Sequence, residues 1–164
     1  MRRHIDQFIG DVNGVRDIAA LRARFSEAIS RMGFCTFVYA GMHIPQLDDN
    51  STPYIVSTFP DDWQQHYFQQ EYYRSDPIIA SALHSVLPTQ WSDLGQNSLQ
   101  KPQANVMNEA RNHGLEHGFA VPVHGHGGEF GLTSVVSNES GKEFRRLLLN
   151  HAHDLHLMTI YFHS

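Results

Sequence analysis

Residues 58–78, TFPDDWQQHYFQQEYYRSDPI, place six aromatic side chains in twenty-one positions of a chain that is only 11% aromatic overall. Pro60 and the two acids after it predict the start of a helix, because proline suits the first helical turn and acidic side chains suit its positive end. We predict that this helix extends to about residue 72. A second helix should begin at Asp76 and Pro77, an N-cap and first-turn pair that is common in proteins.

Three aromatic residues of this stretch, Phe59, Trp63 and Tyr67, recur every four positions and so lie along one side of the predicted helix and its start. Such a stripe is more often hydrophobic core than binding site. Trp and Tyr, however, carry N–H and O–H groups that need partners when buried, and such rings line small-molecule pockets. The stripe alone therefore leaves core packing and ligand binding both open.

Asp76 also has two interpretations. As an N-cap it satisfies a backbone N–H of the helix that follows. In a binding site its carboxylate would accept a charge-assisted hydrogen bond from a ligand N–H, which is stronger than a neutral one. The two roles are compatible.

Periodicity on either side of this stretch predicts helices at both ends of the chain and four strands between them. Apolar residues recur at three- and four-residue spacing from Ile18 to Met32 and from Phe144 to Phe162. Runs of β-branched and aromatic residues predict strands, whereas the segment around Trp91 is typical of a loop or short turn. The further helices are predicted over 16–32, 98–114 and 141 to about 162, and the strands over 34–43, 54–59, 119–125 and 129–137.

The order of these elements predicts the fold class. The first two strands should be antiparallel neighbours, and the last two should form a hairpin around the glycine-rich HGHGG, residues 124–128. With helices at both ends and hairpin connections, the most consistent layering is an antiparallel sheet covered by helices on both faces. We found no repeat, linker or low-complexity tract, so residues 1–164 are predicted to form one α+β domain.

Composition limits the functional classes. Twelve basic and seventeen acidic residues give a formal charge of −5 without basic clusters, so this chain lacks the electrostatic pattern of a nucleic-acid-binding domain. No signal peptide or membrane span is recognisable, which predicts a soluble cytoplasmic protein. The single cysteine, Cys35, excludes an internal disulfide, and we expect it to be a small buried side chain within a strand.

No pattern typical of an enzyme is present. The twelve histidines suggest a metal site, but His124 and His126 lack partners at ligand spacing, and His151 and His153 point to different sides of a helix. The chain has no P-loop, GxSxG, GxGxxG or HExxH motif. The sequence therefore favours a binding module without metal or cofactor.

Seven residues at fixed offsets, together with Gly118 and the segment GEFGLTS at 128–134, make the chain resemble a known family. The seven residues are Phe59, Pro60, Trp63, Tyr67, Asp76, Pro77 and Trp91. With this pattern the chain is similar to the autoinducer-binding domain of LuxR-type quorum-sensing transcription regulators, which bind N-acyl-homoserine lactones. The resemblance covers residues 15 to 162.

The resemblance implies an α-β-α sandwich with a five-stranded antiparallel sheet, and a ligand held between the sheet and the helix that carries Trp63 and Tyr67. By position, Trp63 would donate its indole N–H to the lactone carbonyl, and Asp76 would accept the ligand's amide N–H. Trp91 would pack against the lactone ring and Tyr67 would line the acyl side of the cavity. The Ser134 hydroxyl would bind the amide carbonyl.

Phe59 departs from the family pattern, in which a tyrosine hydroxyl at this position commonly helps to bind the amide carbonyl. Either Ser134, Thr133 or a water takes that role here, or the head group of the ligand differs. The depth of the pocket is expected to depend on four apolar residues: Val38, Ala40, Val56 and Ile78.

The resemblance also concerns partners. Full family members continue into a helix-turn-helix, so DNA binding is implied only through a C-terminal domain that lies outside this chain. We expect the chain itself to be a piece of a longer regulator or a natural stand-alone domain. A homodimer is expected, with the final helix as a candidate surface, although core packing explains its apolar face equally well. Ligand binding is expected to be coupled to folding.

Three alternatives remain from the sequence. The domain could be a sensor for a different small molecule, of the PAS or GAF type or a divergent relative of the LuxR type. It could be a lactone hydrolase that uses the histidines. It could also be an interaction domain without a ligand.

Overall fold

The computed structural model of the protein describes residues 18–43, 54–94, 99–125, 129–139 and 141–163. Two short 3₁₀ helices, Tyr72–Arg74 and Trp91–Leu94, lie among the main elements. The helices are α1 (Ile18–Met32), α2 (Asp61–Gln69), α3 (Pro77–Leu83), α4 (Lys101–Asn112) and α5 (Gly141–His163), and the strands are β1 (Thr36–His43), β2 (Tyr54–Ser57), β3 (Thr89–Gln90), β4 (His117–His124) and β5 (Glu129–Ser137).

The five strands form one antiparallel sheet in the order β2-β1-β5-β4-β3. The predicted pairings of β1 with β2 and of β4 with β5 are confirmed. At the centre of the sheet, β1 pairs with β5, so Val38 lies opposite Ser57 on one side and opposite Ser134 on the other. This central pairing joins the two halves of the chain.

Helices cover both faces of the sheet, which confirms the predicted layering. Side chains alternate between the faces along each strand. One face packs against α1 and α5 in a core that contains Phe25, Phe37, Val135, Leu155 and Met158. The other face is covered by α2, α3 and α4 and contains Phe59, Trp63, Ile78, Met107 and Leu132.

Element boundaries differ from the predictions where local geometry intervenes. The helix predicted to reach residue 72 ends at Gln69, because Glu71 adopts a left-handed conformation with φ 53° that a helix cannot contain. The segment before Trp91, predicted as loop, includes the two-residue strand β3, which pairs with β4. Two residues are too few for an alternating pattern to be recognised in the sequence. The predicted hairpin tip at 126–128 lies outside the described residues.

The prediction for Cys35 is wrong. Cys35 is exposed and lies just before β1, where both its N–H and its thiol donate hydrogen bonds to the carbonyl oxygen of Val136, at 2.9 and 3.2 Å. Within the described ranges, no helix combines the length and apolar character needed to cross a membrane.

Candidate functional site

A cavity lies between the sheet and the three helices α2, α3 and α4. Its empty space, counted out into the solvent at the mouth, is about 720 Å³. Apolar side chains form most of its wall. Four polar side chains also line it, Ser57, Gln64, Asp76 and Ser134, together with the amphipathic rings of Trp63, Tyr67 and Trp91.

The structure brings all but two of the predicted site residues to this cavity. The exceptions are Val56 and Thr133, which both lie opposite Tyr39 in the sheet and therefore share its face toward α1 and α5. Because side chains alternate, the neighbours of Val56, Ile55 and Ser57, line the cavity instead. The residues at the cavity are Val38, Ala40, Phe59, Trp63, Tyr67, Asp76, Ile78, Trp91 and Ser134.

Several wall residues were not predicted from the sequence. Helix α4 contributes three of them, Val106, Met107 and Ala110, at helical spacing. Their periodicity indicates a buried helix face, but only the tertiary fold shows that this face closes the cavity. The others are Ile55, Ser57, Gln64, Phe68, Ile79 and Leu132.

The Asp76 carboxyl is the most polar group of the cavity, and both of its oxygens are held in place. Asp76 caps α3, since its Oδ1 accepts a hydrogen bond from the backbone N–H of Ile78 at 2.9 Å. Its Oδ2 accepts from the Tyr67 hydroxyl at 2.7 Å. The N-cap interpretation of Asp76 is therefore confirmed, and Asp76 also lines the cavity.

Burial dominates the electrostatics of this pair. Desolvation raises the pKa of Asp76 above its usual 3.8, although the hydrogen bonds from Tyr67, Ile78 and Ile79 oppose that rise. Desolvation, followed by the charge of Asp76, raises the pKa of Tyr67 well above 10.0. The phenol therefore stays protonated and donates a hydrogen bond to Asp76. Within the described part of the chain, no cation forms an ion pair with this carboxyl.

Trp63 and Ser134 offer polar groups from opposite walls of the cavity. Trp63 is 4% exposed and packs edge-on to Tyr67, with 5.7 Å between ring centroids. Ser134 is 2% exposed and projects from β5 between Val38 and Ala120 of the neighbouring strands. Among the described residues, neither the Trp63 indole N–H nor the Ser134 hydroxyl has a hydrogen-bond partner. Both groups are therefore available to a ligand.

Trp91 forms another wall of the cavity, and its position depends on Gly118. The benzo ring of Trp91 lies directly on the backbone of Gly118, where any Cβ would overlap with ring atoms Cδ2 and Cε2. The adjacent pairing of Gln90 with Phe119 aligns these two segments. Glycine is therefore required at position 118 for the tryptophan to lie flat against β4.

A polar cluster surrounds part of the Trp63 ring. The rings of His113 and His66 lie 5.1 and 6.4 Å from the Trp63 ring, and the two imidazoles stack 6.2 Å apart. Asp62 Oδ2 is 3.8 Å from His113 Nε2, and Glu109 Oε2 is 3.9 Å from His66 Nε2. These contacts connect α2 to α4 around the tryptophan.

The histidines considered as metal ligands have other surroundings. His124 Nε2 lies 2.9 Å from the carbonyl oxygen of Ser85 and 3.1 Å from that of Ala82, so it connects β4 to the end of α3. His126 lies outside the described residues. In the part of the chain that the structure describes, no three His, Cys, Asp or Glu side chains are arranged to hold a metal ion.

Comparison with known proteins gives one consistent result. The family model for the autoinducer binding domain matches residues 17–164. The transcriptional activator CarR of Pectobacterium carotovorum subsp. carotovorum is 27% identical over 117 residues, which are 71% of this chain and 48% of CarR. The chain thus spans about half the length of the curated relatives it matches. That family consists of transcription regulators with a ligand-binding domain, not enzymes.

Solved structures support the fold. The LuxR-family factor CepR2 from Burkholderia cenocepacia, described as dependent on N-acylhomoserine lactone, has a TM-score of 0.76 at 18% identity, covering 98% of this chain and 93% of CepR2. SdiA in complex with octanoyl-rac-glycerol has a TM-score of 0.70 at 13% identity, covering 96% of this chain and 62% of SdiA. The five-stranded sheet between helices is therefore shared with both.

Proposed function

Because the chain belongs to the autoinducer-binding domain family, we propose that it is the sensor domain of a LuxR-type transcription regulator and binds an N-acyl-homoserine lactone. The observation that carries this proposal is the Asp76 carboxyl, which lies desolvated in a largely apolar cavity. A buried carboxyl needs hydrogen-bond donors. The protein supplies the Tyr67 hydroxyl and the backbone N–H groups of Ile78 and Ile79, and the amide N–H of an acyl-homoserine lactone supplies one more.

The remaining polar groups suit the same ligand. The Trp63 indole N–H donates to the lactone carbonyl, and the Ser134 hydroxyl donates to the amide carbonyl, which replaces the hydroxyl that Phe59 lacks. Trp91 packs on the lactone ring. The acyl chain then lies along the apolar wall that includes Val38 and Ala40. With each amide group paired, burial of the polar head group costs little.

Binding in this proposal is coupled to folding and to assembly. A filled cavity stabilises the sheet, and α5 packs on the other face of that sheet. Helix α5 exposes Leu149, Leu157 and Ile160, which are 86%, 41% and 44% exposed, and we propose that they contribute to a homodimer surface. In the parent regulator, dimerisation would then promote DNA binding through a separate domain in the cytoplasm.

A second candidate ligand is a neutral acyl ester with free hydroxyls. Phe59 removes the hydroxyl that commonly binds the amide carbonyl of a lactone, and the structurally similar SdiA has been observed with octanoyl-rac-glycerol. A glycerol hydroxyl can donate to Asp76 in place of an amide N–H. Such a ligand would use the same cavity.

The test is thermal unfolding of the protein with a series of acyl-homoserine lactones and with octanoylglycerol. Each added methylene should strengthen binding by about 0.8 kcal/mol until the cavity ends. At a hundredfold excess over Kd, the stabilisation is about 2.7 kcal/mol, or roughly 5–10 °C for a domain of this size. Asp76→Asn should reduce the lactone affinity about tenfold or more, because the charge-assisted bond is lost.

Asp61→Asn is the matched control, since Asp61 is an exposed acid in the first turn of α2. It should leave the ligand-induced shift unchanged. A shift with octanoylglycerol alone would favour the second candidate. No shift with any lactone, in folded protein, would contradict the proposed lactone-sensing function.

A further inference from the structure

Gln64 places a polar side chain in the cavity wall beside Trp63, and one hydrogen bond fixes the orientation of its amide. Gln64 Nε2 donates to the backbone carbonyl oxygen of Phe59 at 2.7 Å. A carbonyl oxygen can only accept, so the NH₂ end of the amide must face it. Among the described residues, Gln64 provides the only hydrogen bond to that Phe59 carbonyl. Rotation of the amide by 180° would therefore leave Phe59 unpaired and bring two carbonyl oxygens together.

The other end of the amide, Gln64 Oε1, is consequently a fixed acceptor. Within the described part of the chain no donor reaches it, and the side chain is only partly buried because it lines the cavity. Ser57, a polar lining residue on the sheet, already has two partners, because its hydroxyl donates to the Phe37 carbonyl and accepts from the Phe59 N–H. Gln64 Oε1 therefore remains as an acceptor that a bound ligand would desolvate.

Among the side chains that line the cavity, the Asp76 carboxylate and Gln64 Oε1 can only accept hydrogen bonds, whereas the Ser134 hydroxyl can also donate one. An acyl-homoserine lactone with an unsubstituted chain has a single donor, its amide N–H, and the proposed function pairs that donor with Asp76. Such a ligand would cover Gln64 Oε1 with methylene groups, and an acceptor desolvated without a partner weakens binding. A ligand that satisfies both acceptors needs a second donor.

We propose that Gln64 selects acyl-homoserine lactones that carry a hydroxyl on the acyl chain close to the amide, at carbon 3. This inference rests on the proposed function. Gln64 follows Trp63 in α2 and is bonded to Phe59, and the proposed binding mode puts the head group of the ligand beside Trp63, so the Gln64 amide is assigned to that end of the acyl chain. Carbon 3 is the chain position near the amide at which a hydroxyl is separated from it by a single methylene.

The fixed Gln64 amide also predicts an order of affinity for the three natural forms of the acyl chain. A 3-hydroxyl donates to Gln64 Oε1, an unsubstituted carbon leaves Oε1 unpaired, and a 3-oxo group places a second acceptor opposite it. The expected order of affinity is therefore 3-hydroxy, then unsubstituted, then 3-oxo. Since an acceptor at one fixed position is reached by only one configuration at carbon 3, the two 3-hydroxy enantiomers should also differ.

The experiment measures Kd by calorimetry for N-octanoyl-, N-(3-oxooctanoyl)- and each enantiomer of N-(3-hydroxyoctanoyl)-homoserine lactone. The wild-type protein should bind one hydroxy enantiomer about fivefold or more tightly than the unsubstituted lactone. Gln64→Met, which has similar length and no acceptor oxygen, should abolish that preference and the difference between enantiomers. Gln65→Met changes the exposed neighbouring residue and should preserve both.

Because Kd values for different ligands are compared within the same variant, a loss of stability caused by the missing Gln64–Phe59 hydrogen bond does not alter the comparison. If Gln64→Met does not fold, the order and enantiomer difference in the wild-type protein still decide the question. Equal or tighter binding of the unsubstituted lactone would refute the role of Gln64 while leaving the lactone-sensing function intact. Binding of none of these lactones would refute both.

Discussion

Asp76 combines a structural and a binding role in one side chain. Its Oδ1 caps α3 and its Oδ2 accepts from Tyr67, so its position is fixed before any ligand arrives. The cost of this arrangement is a carboxyl in an apolar cavity, with no ion-pair partner among the described residues. In the proposed binding mode a ligand N–H would reduce that cost, so binding would stabilise the folded protein.

The raised pKa of Asp76 predicts how the stability of the ligand-free protein depends on pH. Because the folded pKa lies above the usual 3.8, the contribution of Asp76 to the free energy of unfolding is complete below that value. It is lost as the pH rises through the folded pKa, since ionisation is easier in the unfolded chain. Urea unfolding from pH 4 to 7 should therefore show a decline that Asp76→Asn lacks. An identical decline in both proteins would contradict this assignment.

Gly118 supplies a second prediction at the scale of single residues. In Gly118→Ala the new methyl overlaps with the Trp91 ring, so the ring or β4 must move. Overpacking of this kind costs about 1–3 kcal/mol, and displacement of Trp91 should weaken ligand binding as well. Denaturant unfolding and calorimetry measure the two effects.

Gly141→Ala is the matched control, because a Cβ there meets only His117 Cε1 at an ordinary 3.5 Å. It should change the free energy of unfolding little and leave Kd unchanged. Equal effects of the two substitutions would show that Trp91 does not depend on Gly118.

At the scale of elements, sequence patterns predicted the long elements and failed where pairing decides the structure. Helices α1 and α5 and strand β5 are long enough for their periodicity to be recognised. Strand β3 has two residues and exists only because β4 lies beside it. The same limit explains Val56 and Thr133, since a shift of one residue along a strand moves a side chain to the other face of the sheet.

The exposed face of α5 gives the prediction at this scale. If Leu149, which is 86% exposed, lies in the proposed dimer interface, Leu149→Glu should bury a charge there and shift the protein to monomer. Sedimentation velocity in the presence of ligand measures the mass. Asn150→Glu, at the exposed neighbouring position, should remain dimeric. A dimer that persists in Leu149→Glu would place the interface elsewhere.

At the scale of the whole molecule, the sheet separates two layers with different roles. Alternate residues of β1 belong to different layers: Val38 and Ala40 line the cavity, whereas Phe37 and Tyr39 pack toward α1 and α5. Filling the cavity restrains the same strands on which α5 rests. Of the nine predicted residues at the cavity, five lie in the stretch 58–78, and the family resemblance rather than any local pattern supplied their expected roles. The two-layer arrangement requires the β1–β5 pairing, which no local pattern encodes.

The pairing of β1 with β5 can form only late in the synthesis of the chain. Strand β5 begins at Glu129, roughly seventy residues after β2 ends at Ser57. At about 5–20 residues per second, the ribosome needs roughly 4–14 s to deliver the partner of β1, whose edge stays open for pairing with other chains meanwhile. An autoinducer cannot protect the nascent chain during that interval, because Leu132 and Ser134 of the cavity arrive with β5. A ligand of the cavity can therefore stabilise the protein only after β5 has been synthesised.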